Sequence, residues 1–330
     1  MTAARHDVIG VGNAIVDVIA AASESLILDL KLKKGAMTLI DADRGEEIYA
    51  SMSDTTETSG GSAANTLAGI ASFGGKGAYI GKINDDALGR AFRDDLIKIG
   101  IDYNTPPALD GSPTARCLVL VTPDAERTMQ TCLGVSVDLG PDDIDEEAIA
   151  AAEITYLEGY LFDPPEAQKA FCKAAEAAHA SGRRVALSLS DAFCVERHRE
   201  DFLHLLSGHV DVLFANESEA TALFDVDNFE EAVRLTSGHC EIAALTRGSA
   251  GCVVVERGTI HEIAAKEVKK VVDTTGAGDL FAAGFLYGLT HGDGLAKCGM
   301  LGAAAAAEVI SHYGARPQTS LASLLVQSDE

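Results

Sequence analysis

Short apolar runs rich in β-branched residues alternate with helical patterns along most of this chain, and that alternation leaves few folds open. The runs lie at 7–12 ("DVIGVG"), 77–83, 152–160, 183–190, 210–216 and 241–246. Helix-period patterns cover 62–73, 86–99, 165–180, 217–224, 229–237, 279–290 and 294–307. Single apolar runs separated by helices read as strands buried on both faces. The expected fold is therefore α/β, with a central, mostly parallel sheet flanked by helices on both faces.

Two stretches break the rhythm. Residues 14–42 read as extended and turn-rich, and 114–132 read as a hairpin turning at Pro123-Asp124, neither with a helix to cover a sheet face. They predict a small β-rich lid built from segments distant in sequence. The expected division is large domain 1–13, lid 14–42, large domain 43–113, lid 114–132, and large domain with a nucleotide site over 133–330.

The formal net charge of −24 argues against nucleic acid and anionic membranes as partners. None of the seven cysteines forms a C-x-x-C pair and their number is odd, so buried reduced thiols are expected rather than a zinc or disulfide framework. The N-terminus lacks the apolar core of a signal peptide, and no apolar run reaches membrane-spanning length. A cytoplasmic protein is expected. "GVGNAI" at 10–15 starts like a dinucleotide fingerprint, but Ile15 stands where the third glycine belongs, and the match is rejected.

The segment "EVKKVVDTTGAGDLFAAGFLYGL" reads as strand, glycine turn and buried helix. Gly276 and Gly278 permit a tight turn, and the helix N-terminus that follows is an anion site. A carboxylate there, Asp279, would repel a bound phosphate. It makes sense if it faces a hydroxyl that attacks the phosphate and takes the hydroxyl proton. Read alone, Asp279 fits a plain helix cap equally.

"DTTGAGD" (273–279) closely resembles the D-T-x-G-A-G-D motif of the ribokinase-like (PfkB-type) carbohydrate and nucleoside kinases. "SGGSAANTLAGIASFGG" (59–75) resembles that family's first motif, and the likeness runs from "GVGNAIVD" to "GARP". The resemblance implies Asp279 as the catalytic base and the backbone of Gly276, Ala277 and Gly278 as the anion hole. It implies acceptor contacts from Asp17, Gly60, Gly61 and Asn65. Arg127, opening the lid's second strand, would swing onto the transferring phosphate. An exposed structural arginine is the alternative.

Asn13 directly after Gly12, "LKLKKGAMTLIDAD" and "SLSDAF" are similar to the adenosine kinases more than to ribokinases or fructokinases. Ser188 departs from the asparagine common in those kinases. By position Leu39, Tyr160, Leu161 and Phe162 are candidates for an apolar nucleobase pocket, with ordinary core packing as the alternative for each. On the donor side Asn216 and Glu219 match N-x-x-E, with Glu219 acting on magnesium through water and Asn216 near the phosphates. Thr246, Gly248 and Gly251 match a nucleotide-side turn. A monovalent cation such as K⁺ is expected beside Asp273, Thr275 and 309–314. The implied ligands are adenosine, ATP and Mg²⁺, and the implied assembly is a monomer or homodimer. The alternatives are a kinase for ribose, fructose or a keto-deoxy sugar acid, and a nucleoside-binding protein without catalysis.

Overall fold

The computed structural model describes residues 4–124 and 126–325. Its strands, numbered in chain order, are β1 (His6–Val11), β2 (Ile15–Ala21), β3 (Met37–Leu39), β4 (Thr56–Ser59), β5 (Gly77–Ile80), β6 (Ile101–Tyr103) and β7 (Ala115–Val121). There follow β8 (Arg127–Cys132), β9 (Ala152–Glu158), β10 (Arg184–Ser188), β11 (Val212–Asn216), β12 (Ile242–Thr246), β13 (Cys252–Glu256) and β14 (Thr259–Ile263). Nine form one sheet in the order β14-β13-β12-β11-β10-β9-β1-β5-β6. It is parallel from β6 to β12, and β13 and β14 close it as antiparallel strands.

The period of two along each strand sorts side chains onto two cores. Val8, Tyr156, Ala186 and Phe214 face one, packed by the helices Ser62–Phe73, Ala277–Thr290 and Leu295–Val309. Ile9, Leu157, Leu187 and Leu213 face the other, under Pro165–Ala180, Arg199–His209 and Glu217–Phe224. Among the described residues no helix is long and apolar enough to cross a membrane.

A second sheet of five strands runs β3-β8-β7-β2-β4. β2 and β7 are parallel, and β7 and β8 form the hairpin with Val121 opposite Arg127. Three expectations need correction here. β4 lies within 43–113, the segment assigned to the large domain, yet it pairs with β2 with Val16 opposite Ser59. The second sheet also has helices: Glu24–Asp29 buries Ile27, and Ala42–Tyr49 buries Ile48 against the same apolar face as Val16, Val18, Leu118 and Leu120. Finally, 267–272 forms no strand. The Val272 N–H donates to the Ile310 carbonyl, so this segment is a strap tied to the end of the Leu295–Val309 helix.

The Ala277–Thr290 helix is buried continuously from Leu280 to Gly288. It crosses the Leu295–Val309 helix so closely that a Cβ on Gly284 would lie 2.5 Å from the Leu301 carbonyl oxygen. Backbone cannot yield as a flexible side chain can. Gly284→Ala is expected to lower stability by about 1–3 kcal/mol, read as a lower urea midpoint at unchanged slope.

Candidate active site

The carboxyl ends of the parallel strands share one edge of the large sheet, where ligands of open α/β sheets bind. Asn13 follows β1, Glu158 ends β9, Asn216 ends β11, and Thr246, opposite Asn216 in the register, ends β12. β2 then leads into the second sheet. Its alternation buries Val16 and Val18 and turns Asp17 to the opposite face.

Asp279 lies in the first turn of the Ala277–Thr290 helix, whose N-cap, Gly276, holds a left-handed φ of 78°. The carboxylate does not cap its own helix. Oδ1 accepts from Ser62 Oγ at 2.6 Å and Oδ2 from Asn65 Nδ2 at 3.0 Å, both from the Ser62–Phe73 helix. Burial raises the pKa of Asp279 above its usual carboxylate value, against the two hydrogen bonds that pull it down. The N–H groups of this helix's first turn point out of its N-terminus. That of Ala277 already donates to Thr274 O at 3.2 Å, so Ala277 serves the turn rather than an open anion hole.

Gly61, with φ of 88°, is the N-cap of the Ser62–Phe73 helix, and Gly60 brings bare backbone against Asp17. A Cβ on Gly60 would meet the Asp17 carboxyl carbon at 2.8 Å. Burial pushes Asp17 up to about 6, opposed by Arg127 and Arg316 and helped by Asp279. Arg127 pairs with Asp273 and lies 3.5 Å from Thr275 Oγ1, so it ties β8 to the strap before Gly276. Asp273 also accepts from the Thr275 N–H, the Thr275 hydroxyl and the Gly314 N–H. Burial would raise Asp273, but these donors and Arg127 outweigh it and hold the carboxyl below its usual range. The Asp273 carboxylate is thus already paired and hydrogen-bonded within the protein.

Several pocket candidates belong elsewhere. Leu161 and Phe162 are buried in the second core, where Phe162 stacks on Phe202 at a centroid distance of 4.1 Å. The Asn13 amide is spent on protein, with Nδ2 donating to Glu158 Oε1 at 3.0 Å and Oδ1 accepting from Ser136 Oγ. Of the rest, Tyr160 is half-exposed and feels the charges of Asp279 and Glu219, while Leu39 is exposed on an edge strand of the second sheet.

On the donor side Asn216 and Glu219 form a capping box. Asn216 Oδ1 accepts from the Glu219 N–H, and Glu219 accepts from the Asn216 N–H at 2.9 Å and from Nδ2 at 2.6 Å. Burial pushes Glu219 up to about 7, with Asp191 adding to the rise. Asn216, Thr246 and Gly248 line one cleft of about 520 Å³ with Phe229 and Arg247. Gly251 abuts the wall of a second, of about 430 Å³, between Ile263–Lys266 and the Leu295–Val309 helix.

Three residues escaped the sequence reading. Ser62 directly follows the Gly60-Gly61 turn. Arg316 sits in "GARP", and its Nε donates to Asn65 Oδ1 at 3.3 Å. Glu158 ends a strand that is buried along nearly its whole length, a signal of the same kind as Asp17. It is buried and accepts from the Asn13 N–H, from Asn13 Nδ2 and from the Ala63 N–H at 2.8 Å.

The sequence model of pfkB family carbohydrate kinases matches residues 29–321. The chain belongs to this family. Adenosine kinase from Sinorhizobium meliloti superposes with a TM-score of 0.90 at 48% identity, over 98% of this chain and 100% of that one. A structure described as a probable sugar kinase protein from Rhizobium etli gives 0.91 at 47% identity over 99% of each chain. Adenosine kinase of Saccharomyces cerevisiae is 28% identical over 313 residues, 86% of this chain and 88% of that protein. The fold and the relatives make this pfkB chain an ATP-dependent sugar or nucleoside kinase that acts on a hydroxyl group.

Burial pushes Glu158 up to about 7, against its hydrogen bonds to Ala63 and Asn13. A carboxyl raised by folding favours the native state fully below its unfolded value and loses that contribution as pH rises through the folded one. Glu158→Gln cannot titrate, and its amide leaves one N–H unpaired at a cost of about 1–3 kcal/mol. The stability deficit of the variant in urea unfolding is expected to be larger at pH 5 than at pH 7.5.

Proposed function

We propose that this kinase transfers the γ-phosphoryl group of ATP to the 5′-hydroxyl of adenosine, giving AMP and ADP. The observation that carries the chemistry is the Asp279 carboxylate, held by Ser62 and Asn65 at the N-terminus of a buried helix and electrostatically coupled to Asp17. Asp17, Gly60 and Gly61 receive the vicinal hydroxyls of the ribose, a diol being able to donate two hydrogen bonds to one carboxylate. Asp279 accepts the 5′-hydroxyl proton as that oxygen attacks the γ-phosphorus. The bond from phosphorus to the bridging oxygen of ADP breaks, and ADP leaves with the electron pair. Burial brings Asp279 basicity nearer the working pH, as a general base requires.

Charge on the transferring oxygens falls to the N–H groups at Gly276 and Gly278 and to Arg127. Arg127 Nε is buried and makes no hydrogen bond among the described residues, so a donor stands ready for an anionic group. ATP lies along the cleft lined by Asn216, Thr246 and Gly248, with Gly251 behind the neighbouring wall. A divalent cation suits Glu219, a buried carboxylate next to the charge of Asp191 whose protonation it would relieve. Magnesium there would reach Glu219 through water and supply charge neutralisation to the phosphates. The second sheet acts as a lid over the acceptor, excluding water that would compete for the phosphoryl group.

Adenosine is favoured as acceptor by the whole-length likeness to an adenosine kinase at 48% identity and by the half-exposed Tyr160, an aromatic ring within electrostatic reach of Asp279. A sugar acceptor is the second reading, supported by the equally similar Rhizobium etli protein and by the loss of Leu161 and Phe162 as pocket walls. Initial-rate ADP release with Mg-ATP is the test, run with adenosine, guanosine, inosine, ribose and fructose. Release that depends on adenosine and exceeds that with every sugar is expected. Turnover on a sugar with adenosine inert would overturn the acceptor and keep the chemistry.

A further inference from the structure

Arg316 stands one step back from Asp279, with its guanidinium against the far end of the Asn65 amide. That side chain has one donor end and one acceptor end. Nδ2 donates to Asp279 Oδ2 at 3.0 Å, and Oδ1 accepts from Arg316 Nε at 3.3 Å. Turned over, the amide would set oxygen against a carboxylate and NH₂ against a guanidinium, replacing two attractive contacts by two repulsive ones. Arg316 is fixed in turn. Nη1 donates to Asp95 Oδ2 at 2.5 Å, on the Ala87–Lys98 helix, and the side chain is 19% exposed. Its neighbour Ala315 packs under Gly276, where a Cβ would come within 2.7 Å of the Ala315 Cα. The arginine is thus anchored at both ends of its reach.

We propose that Arg316 is a positioning residue for phosphoryl transfer: held by Asp95, it locks the Asn65 amide so that Nδ2 serves the Asp279 carboxylate. The inference rests on the reading of Asp279 as the base. The other groups that face Asp279 are Ser62 on the helix of Asn65, Asp17 on β2, Tyr156 and Glu158 on β9, and Tyr160 just beyond it. Arg127 and Arg316 act on Asp17 from β8 and from the C-terminal loop. Among these contacts, the hydrogen bonds from Ser62 and Asn65 pull Asp279 down against its burial. Losing the Asn65 bond therefore raises the pH at which Asp279 becomes free to accept a proton.

The pH dependence of kcat/KM reports the free enzyme. It is measured with adenosine, or with the sugar that proves to be the acceptor, for Asn65→Ala, Arg316→Gln and Asp95→Ala. Asp95→Ala is decisive, because removing a negative charge by itself makes nearby carboxyls more acidic and moves the acid limb down. Loss of orientation moves it up. The acid limb is expected to rise in all three, by about one pH unit in Asn65→Ala. The double variant Arg316→Lys/Asn65→Ala, which keeps the charge, should shift no further than Asn65→Ala. A rise in Asn65→Ala with no rise in Asp95→Ala overturns the positioning role, as does an additive double variant. No rise in Asn65→Ala overturns the reading of Asp279 itself. Arg316→Lys keeps the charge and loses the two-point hold, and it replaces Arg316→Gln if that variant fails to fold.

Discussion

The site depends on how closely two helices meet. Ser62–Phe73 and Ala277–Thr290 pack through Gly69, where a Cβ would come within 2.5 Å of the Ala283 Cβ. At that separation their first turns lie side by side. Ser62 and Asn65 then reach Asp279 directly, with no water-sized gap to bridge. The glycines at the two N-caps, Gly61 and Gly276, both hold left-handed φ, so each helix starts at a sharp turn and leaves its N-terminus open. One packing contact thereby sets the proposed base, Asp279, its hydrogen-bond donors and the two helix N-termini in register.

Around this contact the protein keeps three acids whose charged forms are disfavoured by burial, Asp17, Glu158 and Asp279, and a fourth, Glu219, follows the end of β11. Such a cluster is costly to a fold and is characteristic of a site that handles charge. The cationic side is equally local. A chain with a net charge of −24 offers no attractive overall field to a polyanion, and the cations at this site are the local Arg127 and Arg316, both acting on Asp17. Arg127 joins the second sheet to the strap before Gly276 by its pair with Asp273.

Much of the large sheet was legible because its strands are buried on both faces and read as short unbroken apolar runs. The helices at 62–73, 165–180 and 217–224 follow their sequence patterns to the residue. Asp279 and Asn65 were legible through two motifs far apart in the chain. Residues 267–272 misled because a valine pair resembles a strand, although this strap pairs with a helix end. β4, in "TETS", carries no apolar signal and forms only because β2 offers it an edge. Leu161 and Phe162 were left between pocket and core, since apolar residues look the same in both, and they are buried in the second core. Arg316 and Glu158 act through partners 251 and 145 residues away, Asn65 and Asn13, which no local pattern reveals.

The most direct measurement is turnover of Asp279→Asn, paired with calorimetric binding of the acceptor and of ATP. Asparagine keeps the size and can still meet Ser62, but it cannot take the hydroxyl proton. A fall in kcat of about 10²–10⁴-fold with both ligands still bound is the expected result. Near-normal turnover by the folded variant would contradict Asp279 as the base and return the residue to a structural role.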